Sequence, residues 1–179
     1  DAIQSLRARL ERGDVAIGTG HYRVHDVGGA YLDRIAHDVK LARPMRIAVD
    51  CGNGVAGAFA PTLFRRLGCD LVELFCDVDG RFPNHHPDPS QPKNLADLTG
   101  RLARGDCEIG LAFDGDGDRL GVVTKDGHMI YPDRQLMLFA RDVLERHRGA
   151  TILFDVKCSM HMAPTIRRAG GVPLMWMTG

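Results

Sequence analysis

Three aspartates alternate with two glycines and run into an arginine in Asp114-Gly115-Asp116-Gly117-Asp118-Arg119. Three carboxylates this close repel one another unless a cation lies between them. Ligand sets made only of oxygen suit a hard ion such as Mg²⁺. The glycines permit backbone angles at which the carboxylates converge. Arg119 adds a permanent positive charge beside the ion, which suits a phosphate bridging both. The apolar run at residues 109–113 reads as a buried strand delivering this loop. The chemistry implied is phosphoryl transfer, with Asp114, Asp116 and Asp118 as metal ligands and Arg119 acting on phosphate.

Competing readings are weighed on the same residues. A solvated turn needs neither all six residues nor the apolar strand before them. An EF-hand loop requires Gly at its sixth position and Glu at its twelfth, where this chain has Arg119 and Lys125. A haloacid-dehalogenase-like phosphatase also carries Asp-x-Asp after a strand, but its pattern places Thr or Val where Asp118 stands. That phosphatase and a non-catalytic divalent-metal-binding scaffold are the alternatives.

The rest of the chain reads as elements able to hold such a loop. Strands are expected at 45–50, 71–75 and 109–113, and a helix at 55–67 whose core face is Phe59, Leu63 and Leu67. Asn94 is placed to cap a helix carrying Leu95, Leu98 and Leu102. Residues 120–123 and 128–131 flank Lys125-Asp126-Gly127, a hairpin signal. A helix opening at Asp133 is expected to bury Leu136, Phe139 and Val143. After Gly149 a strand, a helix and a second strand begin another unit, with Trp176 read as core. Alternating strands and helices with one hairpin predict an α/β fold, a mixed, mostly parallel sheet flanked by helices.

One motif invites a different reading. Gly52-Asn53-Gly54-Val55-Ala56-Gly57 matches the dinucleotide-binding G-x-G-x-x-G, with Glu73 near the expected ribose position. Asp50 immediately before the turn is unfavourable for a pyrophosphate, and the aspartate loop has no part in hydride transfer. These glycines are therefore expected to let strand and helix pack closely.

The 179 residues are 44% apolar, enough for a packed core. Lys plus Arg and Asp plus Glu both number 23, so the chain sets up no net field toward nucleic acid or a membrane surface. No apolar run reaches the roughly 20 residues of a membrane span. Five unpatterned cysteines, Cys51, Cys69, Cys76, Cys107 and Cys158, fit reduced thiols in a cytoplasmic protein. The sequence fixes no oligomeric state.

Taken in order, several motifs resemble one family. They are Asp50-Cys51-Gly52-Asn53-Gly54-Val55-Ala56-Gly57, Phe82-Pro83-Asn84-His85-His86-Pro87-Asp88-Pro89, Gly110-Leu111-Ala112-Phe113 leading into the aspartate loop, and Asp155-Val156-Lys157-Cys158. The set resembles the bacterial phosphomannomutase/phosphoglucomutase branch of the α-D-phosphohexomutases. The resemblance implies a four-domain enzyme of which residues 1–28 match the end of the first domain, 29–149 the second and 150–179 the start of the third. It implies interconversion of hexose 1- and 6-phosphates through an enzyme phosphoserine and a bisphosphate intermediate, with Mg²⁺ on Asp114, Asp116 and Asp118. Arg119 matches the arginine beside the phosphoserine. The substrate implied is a mannose or glucose phosphate. The family's serine motif is not in this chain, and Met177 stands where the family usually has Lys. No turnover is expected from the chain alone.

Overall fold

The computed structural model describes residues 2–178; Asp1 and Gly179, at the ends of the two outer expected units, lie outside it. Helix α1 (Ala2–Glu11) has no buried residue, and the stretch after it to residue 27 has no regular structure. Helix α2 (Gly28–Asp38) buries Leu32 and sets Tyr31 edge-on against Phe59, ring centroids 5.8 Å apart.

Five strands form the main sheet: β1 (Arg46–Asp50), β2 (Asp70–Leu74), β3 (Ile109–Phe113), β4 (Leu120–Thr124) and β5 (Met129–Ile130), in the order β2-β1-β3-β4-β5. β2, β1 and β3 are parallel, while β4 and β5 return antiparallel. The sheet is thus mixed and flanked by helices, as the alternation predicts. β1, lying between β2 and β3, is apolar on both faces. Ala48 points to helix α4 (Ala96–Leu102), where Leu98, Leu102, Ala112 and Val123 make one core. Ile47, Val49 and Cys51 point the other way, toward Ala60 and Phe64 of helix α3 (Ala60–Arg66). Parallel order brings the carboxyl ends of β1, β2 and β3 to one edge, the place where open α/β sheets gather ligands.

A second core lies beside this one. Strands β6 (Thr151–Asp155) and β7 (Val172–Trp176) pair in parallel, joined by helix α6 (Met162–Arg168). Helix α5 (Pro132–Arg146) packs here, its Met137, Ala140 and Leu144 against Phe154, Met162 and Ile166.

Four local expectations fail. The helix at 55–67 is instead a 3₁₀ turn (Val55–Ala58) followed by α3, broken at Phe59 (φ −125°, ψ −45°). Pro61 has no N–H to donate backward, so a continuous helix loses a hydrogen bond there. The break turns Ala60 and Pro61 inward and leaves Phe59 exposed. In α5 the buried face is Met137/Ala140/Leu144, because the helix docks on α6; Phe139 and Trp176 are both more than half exposed. Asn94 lies in a 3₁₀ turn (Pro92–Leu95) and caps nothing. Its Nδ2 donates to the Asp88 carbonyl at 2.9 Å.

Candidate metal centre

The aspartate loop joins β3 to β4 at the edge where the parallel strands end. Ligand oxygens of Asp114, Asp116 and Asp118 lie within 4.8 Å of one another. Asp114 is buried, whereas Asp116 and Asp118 are exposed. Gly117 (φ 76°) turns the chain so that its N–H bonds the Asp114 carbonyl at 3.1 Å. Around Mg²⁺, with oxygens about 2.1 Å from the ion, ligand atoms lie at most about 4.2 Å apart. The two exposed carboxylates can close that difference by side-chain rotation, so an all-oxygen set of this kind fits a hard divalent cation.

Arg119 holds the buried aspartate from two sides. Its backbone N–H reaches Asp114 Oδ1 at 2.9 Å and its Nε reaches Oδ2 at 2.6 Å. Nη1 lies 3.2 Å from Asp88 Oδ1, while Nη2 has no hydrogen-bond partner among the described residues. Asp88 is fixed in turn by the backbone N–H and hydroxyl of Ser90, at 3.1 and 2.7 Å. Burial raises the Asp114 pKa, but the two Arg119 bonds and a bond shared with Asp118 outweigh it and hold it below the ordinary value. Asp118 moves the opposite way, raised by its hydrogen bond to Asp114 and by repulsion from Asp116 and Asp114. The divergence expresses the mutual repulsion of neighbouring carboxylates, which a bound cation would relieve.

The glycine motif is a seat for this loop. A Cβ on Gly54 would stand 2.8 Å from the Gly115 carbonyl oxygen and 2.9 Å from that of Asp114. The next residue, Val55, donates its N–H to Gly115 at 3.1 Å. A Cβ on Gly57 would overlap the Cys76 carbonyl. Asp50 Oδ1 accepts the Gly52 N–H at 2.9 Å, an amide a pyrophosphate would otherwise take. Close packing, not dinucleotide binding, accounts for these glycines.

The sequence brings Asp114, Asp116, Asp118 and Arg119 together as expected. It did not single out Asp88, which it shows only within the Pro-rich motif at residues 82–89. Nor did it pair His85 with Asp50, whose oxygens lie 3.2 and 3.1 Å from Nε2. Lys157 is bound elsewhere, to Asp155 Oδ2 at 2.8 Å and Thr178 Oγ1 at 2.5 Å.

Comparison with known proteins gives a consistent result. Residues 29–127, more than half of the chain, match the family model described as phosphoglucomutase/phosphomannomutase, alpha/beta/alpha domain II. A phosphoglucomutase of Neisseria meningitidis is 59% identical over 181 residues, covering 100% of this chain and 39% of its own length. A phosphomannomutase/phosphoglucomutase of Pseudomonas aeruginosa is 52% identical over 179 residues, with the same coverage of 100% and 39%. A crystal structure of a phosphoglucomutase/phosphomannomutase family protein from Burkholderia thailandensis superposes with a TM-score of 0.97 at 58% identity, over 100% of this chain and 39% of that one. The chain therefore spans about two fifths of the length of the relatives it matches. Among the described residues no helix is long and apolar enough to cross a membrane.

Proposed function

Because this chain belongs to the phosphoglucomutase/phosphomannomutase family, we propose that its aspartate loop holds the catalytic Mg²⁺ of a cytoplasmic phosphohexomutase. The observation that carries this reading is the convergence of three carboxylates within 4.8 Å beside an arginine that holds the buried one. Asp114, Asp116 and Asp118 bind the ion. When bound, Mg²⁺ supplies charge neutralisation for phosphate oxygens. Arg119 orients the phosphoryl group through Nη2 and keeps Asp114 charged by its two bonds. Phosphoryl transfer depends mostly on such positioning and electrostatics. The phosphoryl donor is a phosphoserine on another part of the whole enzyme, and the substrate is a mannose or glucose phosphate converted through a bisphosphate.

In the proposed domain division, residues 1–28 close the first domain and the five-stranded sheet is the second. The core that α5 shares with β6 and α6 supports placing the next boundary before Pro132 instead of at residue 149. The chain alone catalyses no turnover.

Mn²⁺ titration followed by electron paramagnetic resonance tests the metal assignment. Asp116→Asn is expected to weaken binding by about tenfold, since affinity tracks ligand charge. Mixing the chain with the serine-bearing remainder is expected to restore mutase activity, and Arg119→Ala to lower it by roughly 10²–10³. Phosphate release by the chain alone, lost in Asp114→Asn, would favour the phosphatase reading instead.

A further inference from the structure

We propose that Cys51 and Cys76 form a reversible disulfide when the protein meets a peroxide, making the base of the glycine turn an oxidation site. Their sulfurs lie 3.5 Å apart, at the carboxyl ends of neighbouring parallel strands. They are the two thiols in hydrogen-bond contact among the described residues. Their exposure differs in the way stepwise oxidation needs. Cys76 is half-buried, so a small oxidant reaches it, while Cys51 is fully buried. The hydrogen bond with Cys51 lowers the Cys76 pKa, whereas that same contact and then burial raise Cys51. The outer sulfur is therefore the one a small oxidant meets first.

The chemistry balances with a peroxide as the only added reagent. The Cys76 thiolate attacks one peroxide oxygen, an S–O bond forms, the O–O bond breaks, and hydroxide leaves as water after taking a proton. Cys51 sulfur then attacks Cys76 sulfur. The S–S bond forms, the S–O bond breaks, and the hydroxide leaving Cys76 takes the Cys51 proton as a second water. Two thiols are oxidised and one peroxide is reduced.

Forming the bond brings the sulfurs from 3.5 Å to about 2.05 Å. Both cysteines are tied to the glycine turn that follows β1. The Gly54 N–H bonds the Cys51 carbonyl at 2.7 Å, the Cys51 N–H bonds Leu74 at 3.1 Å, and Gly57 rests on the Cys76 carbonyl. Gly54 and Val55 in turn support the aspartate loop. Oxidation therefore shifts the support of the metal loop, a consequence that rests on the metal-centre reading.

Peptide mapping of the whole chain tests the pair. Reduced protein is treated with a small excess of hydrogen peroxide, quenched with N-ethylmaleimide and digested. The expected result is three labelled cysteines, a cross-linked peptide joining Cys51 to Cys76, and full relabelling of all five after dithiothreitol. In Cys51→Ser, Cys76 is expected to stop at a sulfenic acid trapped by dimedone. Five labelled thiols, or a cross-link between any other two, overturns the proposal on wild-type protein alone. Mn²⁺ titration of both forms reads the consequence separately, with roughly tenfold weaker binding expected after oxidation. Equal binding by both forms overturns the coupling. No binding by the reduced chain defeats the metal-centre reading and leaves the cross-link to decide the redox pair.

Discussion

The imidazole Nε2 of His85 lies 3.1 and 3.2 Å from the two oxygens of Asp50, a carboxylate with no solvent exposure. His85 Nδ1 lies 3.0 Å from the His86 carbonyl, which can only accept, so Nδ1 carries a proton. Burial, the leading cause, raises the Asp50 pKa against the lowering effects of Gly52 and His85. The pair ties the Pro-rich loop of β2 to the end of β1, and that loop delivers Asp88 to Arg119.

Removing the imidazole strands a buried carboxylate. His85→Ala is expected to lower stability by about 2–4 kcal/mol, the range for breaking a buried polar or ionic pair. Adding Asp50→Asn should recover part of that loss, because the uncompensated charge goes with it. Urea unfolding of the single and double variants measures both. A loss below about 0.5 kcal/mol in the single variant would mean that the pair is not coupled to folding.

The Gly54 position separates a seat for the metal loop from a phosphate-binding turn. An added Cβ meets backbone oxygens of Asp114 and Gly115, not a flexible side chain, so the loop itself must move. Gly54→Ala is expected to cost about 1–3 kcal/mol and to weaken Mn²⁺ binding, as measured by thermal unfolding and metal titration. Unchanged metal binding with full stability would show that the turn and the loop move independently.

How much of this was legible in the sequence depended on how local the cause was. The aspartate loop was readable because its chemistry lies in six consecutive residues ending at Arg119. The sheet was readable from apolar runs and one Gly127 turn. The Leu95, Leu98 and Leu102 face was readable too, and all three are buried. The faces around Phe59 and Phe139 were not, because both look like core by spacing while Pro61 and docking on α6 rotate the buried face away from them. The Asp50–His85 and Asp88–Arg119 pairs span 35 and 31 residues, and single-sequence patterning carries no signal over such separations.

Acid should loosen the second sheet at a defined point. Asp155 accepts from Lys157 first and Thr178 next, and these hold its pKa down from 3.8 to about 2. A carboxyl depressed in the folded state contributes stability that is fully present above its unfolded value and is lost as pH falls through the folded one. The window is therefore between about 4 and 2. The Asp155 carboxyl carbon, followed by NMR, is expected to titrate near the lower end, and Lys157→Met to move the midpoint upward. A midpoint near 3.8 in the unaltered chain would show that the triad does not persist in solution.

Leu144 tests whether the two cores act separately. It is fully buried among Met162, Ile166 and the other residues packed between α5 and α6, and it touches nothing in the core beneath the aspartate loop. Leu144→Ala should cost about 2–4 kcal/mol by lost burial and cavity formation. The expected outcome is that this loss appears in the unfolding of the β6–α6–β7 unit, with Mn²⁺ affinity changed by less than about twofold, because locally cooperative units open independently. Urea unfolding monitored by Trp176 fluorescence, with metal titration at zero denaturant, reads both quantities. A parallel fall in metal affinity would join α5 to the sheet that carries the aspartates and return the boundary to residue 149.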